Sequence, residues 1–218
     1  MIARLPAARA TGFLATFALA LTVGALAHAA PPVRQKPADL RTIPGHLKPA
    51  GRVVSSFAWT DARGENLVLF ALTTKTKPPR HADGEPSVTK RLVIRHYTNA
   101  ALVREFKDAV VDCWADPSLE VLERASSVTD LDGDGVGEAT FAYKLGCRSD
   151  VSPIGLKVLM SEAGDKYALR GETSVPVSAT ERMGGKYKVD SSFKTAPPGF
   201  LDHAVKQWKA VVREVMGG

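Results

Sequence analysis

The chain has 218 residues, a mean hydropathy of −0.07, and 29 Lys+Arg against 23 Asp+Glu. That surplus is mild and spread along the chain without a basic run, which makes nucleic acid a poor partner. Two cysteines with no Cys-x-x-Cys pattern exclude dithiol redox chemistry.

Residues 1–29 read as a signal peptide. Arg4 and Arg9 make a basic start, 13–26 is an apolar run, and Ala27-His28-Ala29 satisfies the small-x-small cleavage rule. The apolar run is short for a membrane span, and no cysteine lies near the cut to carry a lipid. The mature chain is therefore expected to start at Ala30, without a membrane span, in the periplasm or outside the cell. Without Arg4 and Arg9 the balance is 27 against 23, a net charge of +4. The remaining chain of about 190 residues can bury one real core, so 51–218 is read as a single domain.

Residues 30–50 form a proline-rich lead-in, extended or strapped over the surface, with His46 as a surface residue. Residues 52–60 and 66–72 are rich in β-branched and aromatic side chains, and Asp61-Ala-Arg-Gly64 between them is turn chemistry. A long polar loop is expected over 75–86, then a strand over 91–97 that packs His96 rather than presenting a catalytic base. Residues 102–111 hold no single helical face and read as strand, as do 119–122, 139–145, 156–160 and 167–170. The 161–165 segment reads as a plain hairpin turn. Residues 173–194 are polar and Gly-containing, mostly loop with room for one edge strand.

The chain closes on a helix, 199–216. Leu201, Ala204, Val205, Trp208, Val211, Val212, Val215 and Met216 share one side, opposite Asp202, Lys206, Lys209 and Arg213. Such a stripe packs on a sheet more often than on a membrane. The expected fold is mainly β (α+β): antiparallel, meander-like sheets with this amphipathic helix packed on them, and Gly217 as the stop.

One stretch carries identifiable chemistry. Asp130, Asp132 and Asp134 alternate, Gly135 follows, and Glu138 closes the group. Carboxylates at positions 1, 3 and 5 with glycine at 6 make a calcium loop, in which the Val136 carbonyl supplies position 7. Hard oxygen donors favour calcium over softer metals. Position 12, the bidentate glutamate of a helix-loop-helix hand, is Phe141 here, and 139–143 reads as strand. Glu138 at position 9 must complete the shell, as in the strand-linked calcium loops of β-propeller repeats, which this loop resembles. Affinity on the order of 10⁻⁴ to 10⁻³ M is expected, the range of extracellular modules. The competing reading is a metal-free Asp/Gly turn, which leaves four acids within nine residues without neutralisation.

Cys113 and Cys147 flank this loop, and an isolated pair in an oxidising compartment reads as a disulfide. Enzyme motifs are thin. Ser87-Val-Thr-Lys90 and Ser191-Ser-Phe-Lys194 match Ser-x-x-Lys, yet neither opens an apolar helix and no Lys-Thr-Gly follows. Asp108, Asp112 and Asp116 could furnish a carboxylate pair for a secreted glycan hydrolase, and Trp59 or Trp114 a sugar-stacking face. Both tryptophans are expected instead in the core or against the disulfide. A cleft joining two of those carboxylates to an exposed Trp114 would favour the enzyme.

Trp59-Thr-Asp61, Gly64-Glu-Asn66, Asp112-Cys113, Thr129 to Gly135, Glu138, Tyr143, Asp150-Val-Ser-Pro153 and Tyr167-Ala-Leu-Arg-Gly171 occur in a familiar order. In this the chain resembles a family of exported bacterial proteins named for surface polysaccharide biosynthesis. The resemblance implies a place at the cell envelope, with surface polysaccharide or an envelope protein as partner, and brings no catalytic residues. The expected function is a calcium-stabilised binding or assembly module.

Overall fold

The computed structural model describes residues 33–79 and 84–215. The predicted signal peptide, the first residues of the lead-in, part of the 75–86 loop and the last three residues lie outside that range. Strands β1 (Lys36–Pro37), β2 (Arg52–Asp61), β3 (Gly64–Lys77), β4 (Ser87–Thr98) and β5 (Ala101–Cys113) follow one another as a five-stranded antiparallel meander. Next come β6 (Asp116–Val121), β7 (Ser127–Thr129), β8 (Glu138–Arg148), β9 (Gly155–Glu162) and β10 (Asp165–Glu172). After the small pair β11 (Ser174–Pro176) and β12 (Arg182–Gly184), β13 (Tyr187–Val189) returns to the edge of β10. The second sheet has the order β13-β10-β9-β8-β6, and β7 pairs with the start of β8. Helix α1 (Phe200–Val211) closes the chain.

Alternation along the strands sorts side chains into three apolar layers. Phe57, Trp59, Val68, Phe70, Ile94 and Phe106 of the first sheet meet Phe141, Tyr143, Leu159 and Ala168 of the second. Phe141 lies at the centre, edge-on to both Phe70 and Phe106 at 5.4 and 5.3 Å between ring centroids. The opposite face of the second sheet packs Val158, Met160, Tyr167 and Leu169 against Phe200, Ala204, Trp208 and Val211 of α1. On the outer face of the first sheet, Leu69 and Tyr97 are covered by Ile43 and Leu47. The Tyr97 hydroxyl donates to the Leu47 carbonyl at 2.6 Å, which fastens the lead-in as a strap.

Strands β3, β8 and β9 are therefore buried on both faces, and the sequences of β3 and β8 show it most plainly. Residues 67–72 of β3 and 139–143 of β8 are nearly continuous apolar runs, as expected of a strand with no solvent side.

Three expectations need correction. Strand β3 runs on to Lys77 because the threonines at 73, 74 and 76 pair across to β4, with Thr76 opposite Val88. The helix ends at Val211, not 216. Beyond it the Ser174 amide donates to the Val212 carbonyl at 2.7 Å and the Glu214 amide to the Ser174 carbonyl at 2.9 Å. That bridge pulls the chain out of the helix, so Val215 is exposed, as is Leu201, while Phe200 takes the buried place. Trp114 is 69 % exposed rather than packed on the disulfide.

Candidate metal centre

Residues 130–137 connect β7 to β8, whose register sets Thr129 opposite Glu138. The loop coils because its aspartates cap its own backbone. The Asp134 amide donates to Asp132 Oδ1 at 3.3 Å, the Gly135 amide to Asp130 Oδ2 at 3.2 Å, and the Val136 amide to Asp134 Oδ1 at 2.7 Å. Gly133 and Gly135 sit at φ +78° and +83°, a region that admits glycine without strain.

The predicted carboxylates are brought together. One oxygen each from Asp130, Asp132 and Glu138 lie within 4.8 Å of one another. A second trio, to the same limit, joins Asp132 and Asp134 to Glu162, the last residue of β9. These acidic groups could hold a metal ion. The Glu138 side chain is fully buried and accepts from the Thr129 hydroxyl at 2.8 Å and the Leu131 amide at 3.0 Å. Asp130 Oδ1 and Glu162 Oε1 are buried with no hydrogen-bond partner among the described residues.

Electrostatics records the crowding. Burial pushes the Glu138 carboxyl up to about 7; the Thr129 and Leu131 hydrogen bonds oppose this, and the Asp132 charge adds to it. Burial likewise raises Glu162 to about 7, reinforced by the charges of Asp132, Glu138, Asp134 and Asp165. A bound cation would hold both ionised.

Two contributors escaped sequence reasoning. Glu162 stood inside an apparent hairpin turn, but Ala163 and Gly164 alone turn the chain, at φ +46° and +99°. Its neighbour Ser161 pairs with Ala139, so Glu162 and Glu138 end adjacent strands on the same side of the sheet. The signal was an acid closing a strand; the register that gives it meaning is not local. Asp61 of the first sheet is the other. It accepts from the Trp59 indole at 2.8 Å and the Gly137 amide at 3.0 Å, while the Ala62 amide donates to the Gly135 carbonyl at 2.8 Å. A methyl at Gly137 would meet Trp59 Nε1 at 2.5 Å, so the loop needs a glycine there.

The expected disulfide, Cys113–Cys147, is formed and joins β5 of one sheet to β8 of the other. The three alternative carboxylates are not gathered. Asp108 accepts from the Tyr143 hydroxyl at 2.9 Å and pairs with Lys157; Asp112 pairs with Lys77 at 2.7 Å and Thr89. Asp108 is thus engaged by Tyr143 and Lys157 and Asp112 by Lys77 and Thr89, so the two carboxylates serve separate sets of partners. Asp116 is exposed at the start of β6. The groove beside Trp114, of about 480 Å³, is lined by Arg148, Ser149, Asp150 and Ser152 and by none of those three. His96 is a packed strand histidine, 3 % exposed. No helix among the described residues is long and apolar enough to cross a membrane.

Fold and site define a class: two packed antiparallel meanders with a helix on one face and an acidic, cation-competent loop at the start of β8. Compared with protein-family models, curated proteins and solved structures, the chain matches none.

Proposed function

We propose that the chain is an exported, calcium-stabilised module of the bacterial cell envelope that binds or assembles there rather than catalysing, with surface polysaccharide as its ligand class. The fully buried Glu138 within ligand distance of Asp130 and Asp132 carries the calcium reading. A buried ionised carboxylate is costly without a counter-charge, and an all-oxygen donor set suits calcium. Val136 would add its carbonyl. The Cys113–Cys147 bond supports an oxidising compartment. The envelope and the glycan rest on the signal-peptide pattern and the family resemblance of the sequence, and the exposed Trp114 offers a stacking face for a sugar.

Thermal melting in chelator and in millimolar calcium tests this reading. At the loop's expected Kd of about 10⁻⁴ to 10⁻³ M, about 1 mM calcium binding to the native state alone should raise Tm by about 1–6 °C. Magnesium should do little, since it demands a smaller octahedral shell. Asp132→Ala should lose the calcium-dependent part with the disulfide intact. A parent curve that ignores calcium removes the metal from the proposal.

A further inference from the structure

We propose that Glu162 supplies the carboxylate that position 12 of the loop lacks, so that a single calcium ion ties the β7–β8 loop to the β9–β10 hairpin. This rests on the calcium reading above. Phe141 occupies position 12 and points into the layer between the sheets, so the loop cannot close its own shell. Glu162 comes to the same place from another hairpin. It is 9 % exposed, its Oε1 is buried without a hydrogen-bond partner among the described residues, and its carboxylate lies within 4.8 Å of those of Asp132 and Asp134.

The geometry suits one ion. Calcium–oxygen distances of roughly 2.3–2.6 Å place opposite ligands about 4.6–5.2 Å apart. Each trio falls within 4.8 Å and Asp132 belongs to both, so one ion beside Asp132 can draw ligands from each. The five carboxylates with one loop carbonyl fill a shell of six, the lower bound of calcium's usual six to eight. The turn at Ala163–Gly164 is tight, which holds Glu162 at the strand end instead of letting it swing into solvent. An unpartnered buried carboxylate also destabilises the ion-free state, and this gives the proposal a readout that a merely structural glutamate would not produce.

Calcium binding is measured by calorimetry on the disulfide-bonded protein and on Glu162→Gln, with exposed Glu181→Gln as control. The parent should bind one calcium per chain, and Glu162→Gln should weaken binding at least tenfold at the same stoichiometry. Its Kd should then fall on the order of 10⁻⁴ to 10⁻³ M, as for the loop alone. Melting adds a sign test. Glu162→Gln should melt at or above the parent in chelator and below it in calcium. An unchanged Kd, or a variant less stable by the same amount in both conditions, overturns the role of Glu162. Two ions in the parent and one in the variant would replace the shared shell with two separate sites. A parent that binds no calcium removes the proposed function itself, which the first titration reveals before any variant is compared.

Discussion

At His96 burial decides the chemistry. The ring lies 5.1 Å from Trp59, and its Nε2 is 3.2 Å from Asn66 Oδ1, an oxygen that also accepts from Thr98. Nε2 therefore carries the proton, and Nδ1 is left buried without a partner among the described residues. Burial lowers the pKa to about 4, against a pull upward from the Asp61 charge and with a further push down from Arg63. The unfolded chain, near 6.5, binds the proton first, so stability falls as pH drops from about 6.5 to about 4. Between pH 7 and pH 5 His96 should cost about 2 kcal/mol. Urea unfolding at both pH values, in parent and His96→Gln, isolates this from the carboxylates. Equal pH slopes in the two proteins would mean that His96 does not stay neutral in the fold. As a packed strand histidine it was legible, because no nucleophile or second base accompanies it in sequence; its link to Asn66 was not.

Elements were legible where their periodicity is their own. Strands β2 to β6 and β8 to β10 follow from β-branched and aromatic runs and turn residues, and the helix from its stripe, because each pattern lies within a dozen residues; the three-residue β7 carries no such pattern. What the sequence hid is where those elements are held by others. The end of α1 is set by Ser174, 39 positions before Arg213, and no helix-stop rule reaches that far. Trp114 misled because adjacency to Cys113 implies packing, whereas a disulfide fixes the backbone and leaves the next side chain free to face water. Trp208 is the firm case. It is 2 % exposed, lies 5.1 Å from the Tyr187 ring, and its indole donates to the Gly185 carbonyl at 3.3 Å. Trp208→Ala should cost about 3–5 kcal/mol in chemical denaturation, because it opens a cavity between helix and sheet. A loss under 1 kcal/mol would mean that the helix does not hold its face of the second sheet.

On the scale of the whole molecule, β8 is the member that both sheets share as an anchor. At its start, the Gly137 amide is held by Asp61 of the first sheet, and the acidic loop gathers around Glu138. Near its far end, Cys147 is bonded to Cys113 at the close of β5. Glu138 and Cys147 are nine steps apart along the strand, about 30 Å at the ordinary rise. Fastenings so far apart share no side chains, and their contributions should add. With 34 positions between the cysteines, the chain-entropy model values the bond at about 4 kcal/mol. The double variant Cys113→Ser/Cys147→Ser should lose about that much, and should keep the parent's calcium increment to within about 0.5 kcal/mol. The comparison needs four unfolding curves, parent and double variant, each in chelator and in calcium. Loss of the calcium increment with the disulfide would show that the loop takes its shape only when the far end of β8 is pinned, so that the two braces act as one.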